Sequence, residues 1–164
     1  MALAERDGIR FDPELLYVAA LLHDIGLVPK FDSGACFESD GAAVAADLAA
    51  HEGWPQERRR ALTEAIRLHV ATDIALDDGP EAYLLWHATG LDVTGHRYDD
   101  VDSRRIATVL SDYPRLDFAG GFTDLLQAQA ERKPDCWAAS AIRNGIADRI
   151  LASPFERDAG HARS

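Results

Sequence analysis

LLYVAALLHDIGL, residues 15–27, is an apolar run that ends on a histidine and an aspartate side by side and is then cut by a glycine. Asp12, Pro13 and Glu14 stand before it and supply an N-cap, a first-turn proline and a negative charge, so a helix is predicted from about Pro13 to Asp24. That helix is apolar on most sides, which predicts a central, buried position. Two ionisable groups at its end set the functional question, because a carboxylate there needs a cation, a hydrogen-bond network or water.

Helical signals recur along nearly the whole chain, and alternating β-branched stretches bounded by turns are almost absent, so the fold class is all-α. A bundle of about six to eight helices is expected. The opening MALAERDG reads as the last turns of a helix closed by Gly8, as though part of an N-terminal helix were missing. After the His-Asp pair, IGLVPKFDSGACFESD carries Gly26, Pro29 and Gly34 and reads as a long loop, of the kind that often carries function. DGAAVAADLAAHEG is a small-residue helix capped by Ser39 or Asp40 and ended by Gly53. In PQERRRALTEAIRLHVA the positions Leu62, Ala65, Ile66 and His69 recur at helical spacing on one face, with the arginines on the solvated side. Further helices are predicted from Pro80, over about Asp102 to Asp112, over about Phe122 to Lys133, and over about Asp135 to Ala152. No internal repeat or linker interrupts residues 1–164, which read as a single domain.

Composition narrows the function classes. A chain of 164 residues with 47% hydrophobic composition suits one compact domain. Its 17 Lys+Arg against 28 Asp+Glu give a net charge of -11, which repels nucleic-acid backbones and anionic membrane surfaces. Cys36 and Cys136 form neither a disulfide framework nor a zinc-ribbon pattern, which fits a reducing cytoplasm. No stretch has signal-peptide or membrane-span character. The expectation is a cytoplasmic protein with a small-molecule substrate and neither nucleic-acid nor membrane partners. Homo-oligomerisation is left open.

The chemistry has few places to reside. His23 and Asp24 diverge by about 100° on a helix and can converge on one ion only at its end, with other ligands arriving from elsewhere. The alternative is that Asp24 accepts backbone N–H groups in the Gly26 loop while His23 is a hydrogen-bonded core residue. His69 on its apolar stripe needs a partner for each ring nitrogen. Asp92, between Gly90 and Gly95, is a second acid at the end of an apolar helix. Several such groups imply one internal polar site, and a metal ion is the usual way to hold carboxylates and imidazoles together in a dry interior. His87 lies five residues before Asp92 and shares its face only if the helix ends between them; otherwise it packs. His51 suits a helix C-terminus, His96 and His161 suit solvent, and Trp54, Trp86 and Trp137 suit core anchoring. Lys30 and Asp32 lie in the long loop, within reach of a ligand or simply solvated.

LLHDIG followed by FESDGAAVA, then AIRLHV and GLDVTG, resembles the HD-domain superfamily of metal-dependent hydrolases, and more narrowly its cyanamide hydratase-like branch. YPRLDF and ASPF also match, and the similarity runs from about Phe11 to Phe155. The resemblance implies one divalent transition metal ion, zinc, iron or manganese, held by His23, Asp24 and the late Asp92. It implies a further ligand histidine upstream, yet no histidine precedes His23, which again suggests a missing N-terminal segment. It places His69 beside the site, in contact with substrate, water or a second ion. Glu38 becomes a proton acceptor or a support behind the ligands, so the implied catalytic set is His69, Glu38 and Asp24. The implied activity is hydration of cyanamide or a nitrile-like compound. Phosphate-ester hydrolysis and a metal-free binding scaffold are the alternatives.

Overall fold

The chain is described by a computed structural model covering residues 2–156. Among the described residues there are nine α-helices and no strand: α1 (Ala2–Asp7), α2 (Pro13–Leu22), α3 (Phe37–His51), α4 (Gln56–Leu68), α5 (Pro80–Thr94), α6 (Ser103–Asp112), α7 (Phe118–Arg132), α8 (Trp137–Arg143) and α9 (Ile146–Leu151). Two compact units are present, one formed by Ala4–Thr89 and the other by residues 90–156 with residues 2–3. No helix among the described residues is long and apolar enough to cross a membrane.

In the first unit α2, α3 and α4 pack on one another. Ala42, Ala45 and Ala49 form a small-residue stripe on α3 that meets Leu62, Ala65 and Ile66 of α4, together with Leu15 and Ala19 of α2 and Ala82 and Leu85 of α5. Leu62 and Ile66 are fully buried, each contributing about 1.5–3 kcal/mol from lost apolar exposure. The charged residues of α4 stand opposite this face, which is the split its spacing predicts. In the second unit α7 packs against α8 and α9 through a core that includes Leu126, Ala138 and Ile150.

The caps explain the boundaries. Asp12 accepts from the backbone N–H groups of Glu14 and Leu15 at 3.1 and 3.0 Å, starting α2 as expected, and also pairs with Arg58 of α4 at 2.7 Å. α2 is less central than its apolar content suggests, since Tyr17 and Leu21 are exposed. The loop after it is two single-turn 3-10 helices, Ile25–Leu27 and Pro29–Phe31. α3 begins earlier than predicted: Cys36 is its N-cap position, and Asp40 is buried inside the helix, where it accepts from the backbone and hydroxyl of Ser33. The expected last helix is divided by Gly145 at φ 73°, a left-handed conformation that ends α8 and starts α9. Neither Cys36 nor Cys136 is a free thiol. The expectation of a reducing compartment thereby loses its cysteine support, because separation in sequence says nothing about engagement in the fold.

Candidate metal centre

The His-Asp pair sits where α2 gives way to its 3-10 turn. His23 is the C-cap of α2, its N–H bonded to the Ala19 carbonyl, and its Nδ1 lies 2.8 Å from the Ala20 carbonyl oxygen. His69 occupies the same position on α4, with Nδ1 on the Ile66 carbonyl. Both rings are therefore docked on a carbonyl three residues back in their own helix. A carbonyl only accepts, so Nδ1 of each carries the proton and Nε2 is left to face the site.

Those two Nε2 atoms face one carboxylate. His23 Nε2 is 3.2 Å from Asp24 Oδ2, and His69 Nε2 is 3.5 Å from Asp24 Oδ1. The rings meet edge to face with centroids 5.0 Å apart, and one ligand atom from each of His23, Asp24 and His69 lies within 4.8 Å of the others. Neutral imidazole lone pairs aimed at a carboxylate repel it, so the arrangement requires positive charge, either protons on the rings or a cation among the three groups. Burial opposes ionisation of Asp24 and is the largest single influence on it; hydrogen bonds and charge from His23 and His69 together outweigh burial and hold the carboxyl below its usual range. His69 is almost wholly enclosed, whereas the side chains of His23 and Asp24 are 22% and 31% exposed, so the group is accessible from one side.

The start of α3 closes the other side. A Cβ on Gly26 would overlap the Phe37 carbonyl, and one on Gly41 would stand 2.9 Å from the His23 carbonyl oxygen, so both positions have room only for hydrogen. This is why FESDGA must follow HDIG: the first turn of α3 rests directly on the His-Asp turn. Phe37 is buried and sets its ring edge to face against His69 at 5.7 Å. The next residue, Glu38, has its Oε2 buried with no hydrogen-bond partner among the described residues. Asp32 accepts from the Gly34 N–H, and Lys30 lies over the Phe31 ring, so both have local roles in the loop.

The other sequence candidates have surroundings of their own. Asp92 lies in the last turn of α5, in the second unit, where its Oδ1 accepts from Arg115 Nη1 at 2.7 Å and its carbonyl from Arg115 Nη2 at 3.1 Å. Arg115 is also paired with Glu156 at 2.8 Å and lies over the Phe118 ring. His87 is buried with its ring 4.4 Å from Tyr83 and 4.8 Å from Trp86. His51 is exposed beside Glu52, His96 is exposed, and His161 lies outside the described residues. Trp86 donates to the Ala71 carbonyl, and Trp54 is covered by the Arg58 guanidinium. Arg115 was missed by sequence reasoning; its only signal was its place in YPRLDF.

Comparison with known proteins gives a consistent result. A family model described as HD domain matches residues 1–85. Two curated proteins of Saccharomyces cerevisiae (strain ATCC 204508 / S288c), named cyanamide hydratase DDI2 and cyanamide hydratase DDI3, are each 28% identical to this chain over 151 residues. Each alignment covers 88% of this chain and 65% of the relative, so the chain spans less than two thirds of the length of the proteins it matches.

Proposed function

The chain belongs to the HD-domain family, and on that footing we propose that it is a metal-dependent hydratase whose substrate is cyanamide or a nitrile-like compound. The observation that supports this most directly is the convergence of two imidazole Nε2 atoms and one carboxylate, with both Nδ1 protons committed to backbone carbonyls. That donor set suits a divalent transition metal such as zinc, iron or manganese. When bound, such an ion polarises an electrophilic centre and makes water ionise near neutral pH.

The chain's own groups divide the remaining work. Asp24 stays ionised, so it offers a carboxylate to the ion without a proton to lose and offsets one of its two charges. His23 and His69 are held in one tautomer by Ala20 and Ile66, so neither ring has to turn to present Nε2. Glu38 is the proton acceptor in this reading, supported by a buried oxygen that no donor among the described residues uses. Water adds across the carbon–nitrogen triple bond, oxygen to carbon and hydrogen to nitrogen, so cyanamide plus water becomes urea with no other product. The choice of substrate draws on the two yeast relatives named cyanamide hydratase.

The test is a pair of assays on metal-reconstituted protein: urea from cyanamide and phosphate from mononucleotides. Urea formation that disappears on chelation and in His23→Ala is the expected outcome. Phosphate release without urea would overturn the substrate class.

A further inference from the structure

Independently of the metal reading, we infer that α6 and the turn after it form an interaction surface whose partner is a second copy of this chain, laid antiparallel across the first. Ile106, Val109, Leu110 and Tyr113 recur at helical spacing, which makes one apolar stripe along α6. Ile106 is buried and Leu110 half-buried, but Val109 and Tyr113 are 51% and 75% exposed. The closely packed helix pairs among the described residues, α3 with α4 and α7 with α8 foremost, do not include α6. Single exposed apolar residues are ordinary on a protein surface, whereas a continuous stripe of them marks a place where something docks.

Leu116 is a second, independent anomaly. Its φ of 52° is left-handed, a strained conformation for a residue with a Cβ, yet its side chain is 80% exposed. Burial therefore does not offset the strain within this chain. The turn folds Arg115 back onto Asp92 and Glu156 and displays Leu116 to the outside.

Charge selects the occupant. At a net charge of -11 the chain repels copies of itself over most of its surface. The stripe is different, being bordered by Arg105 near one end and Asp112 near the other. Seven residues apart, these two lie on the same edge of the helix, about 10 Å from one another. Antiparallel copies bring identical edges together, so Arg105 of each copy stands beside Asp112 of the other and a two-fold axis near Val109 repeats the pair. A parallel pairing would set that edge against Ser103 and Ala107, which carry no charge. With α6 about 15 Å long, the interface is at the small end for a specific pair, and its dissociation constant is micromolar.

Sedimentation equilibrium of the full chain over roughly 1–300 µM tests this, and a monomer-dimer transition within that range is expected. Tyr113→Ser should raise the dissociation constant at least about tenfold while leaving the helical circular dichroism unchanged. Leu116→Gly removes strain and side chain together, so it should raise the unfolding temperature of the monomer and weaken the dimer. Arg105→Glu and Asp112→Arg should each weaken self-association, and an equimolar mixture of the two should recover it, because each mixed pair sets a carboxylate beside a guanidinium on both sides of the axis. A role of either residue within its own copy cannot produce that recovery. A chain that stays monomeric throughout, a dimer indifferent to Tyr113→Ser, or charge-reversed variants that do not recover on mixing would overturn the assignment.

Discussion

Gly26 bears on the site without contributing a ligand. Its missing side chain lets the Phe37 carbonyl approach the His-Asp turn, and any Cβ there meets backbone, which cannot rotate away. Gly26→Ala is therefore expected to cost about 1–3 kcal/mol in urea unfolding, and to weaken metal binding by shifting Asp24 relative to His69. An unchanged midpoint with unchanged affinity would show that α3 moves aside freely. At this scale His23, Asp24 and His69 were all legible, because an ionisable group on or at the end of an apolar stripe stands out against its neighbours. The partner of Asp92 was not legible. Arg115 is 23 residues away, and such pairs are set by tertiary approach. Nor could the direction of His69 Nε2 towards Asp24 be read from spacing, since spacing reports the face of a helix and not where each ring nitrogen points.

Among the elements, α2 sets the height of the His-Asp pair, and Asp12 fixes where α2 begins. Hydrogen bonding to Arg58 is the chief reason that the Asp12 carboxyl ionises below its ordinary value of 3.8; burial opposes it and the Leu15 N–H adds to it. A group with a lowered folded pKa stabilises the fold above its unfolded value, and that contribution is lost as pH falls through the folded one. The advantage of Asp12 over Asp12→Asn, which keeps the cap, should thus be present at pH 7 and be lost as pH falls below the ordinary carboxylate range. Asp12→Ala loses the cap as well and should unfold about 1 kcal/mol more easily than Asp12→Asn at pH 7. Equal stabilities of the two variants would show that Arg58, not capping, is all that Asp12 provides. Further along, Gly145→Ala places a Cβ in a left-handed conformation at a cost of about 1–2 kcal/mol. Helix existence was readable here from caps and periodicity. The break at Gly145 was not, because a glycine with helical residues on both sides is ambiguous until its φ is known.

On the scale of the whole molecule, the helical class follows from periodicities that each segment carries by itself. The division into two units does not, because its boundary at Thr89 falls inside α5 and no linker composition marks it. That division gives the cluster of His23, Asp24 and His69 a measurable consequence. An ion present at 100 times its dissociation constant stabilises whatever state holds it by about 2.7 kcal/mol, or roughly 100-fold in the population of any opening that breaks the site. For an ion held by His23, Asp24 and His69, openings of the first unit break the site. Hydrogen exchange on the full chain should then slow by up to about 100-fold on adding Zn2+ in peptides spanning residues 19–28 and 62–70. Peptides from α7, α8 and α9 should exchange as before, because their local openings leave His23, Asp24 and His69 in place. Slowing centred on residues 90–95 would mark Asp92 as a ligand as well, and equal slowing everywhere would mean that the two units open in a single step. A result confined to the ends of α2 and α4 would show that the charge needed by the His23, Asp24 and His69 cluster is supplied by a metal ion, since protons at fixed pH cannot reproduce a response to zinc.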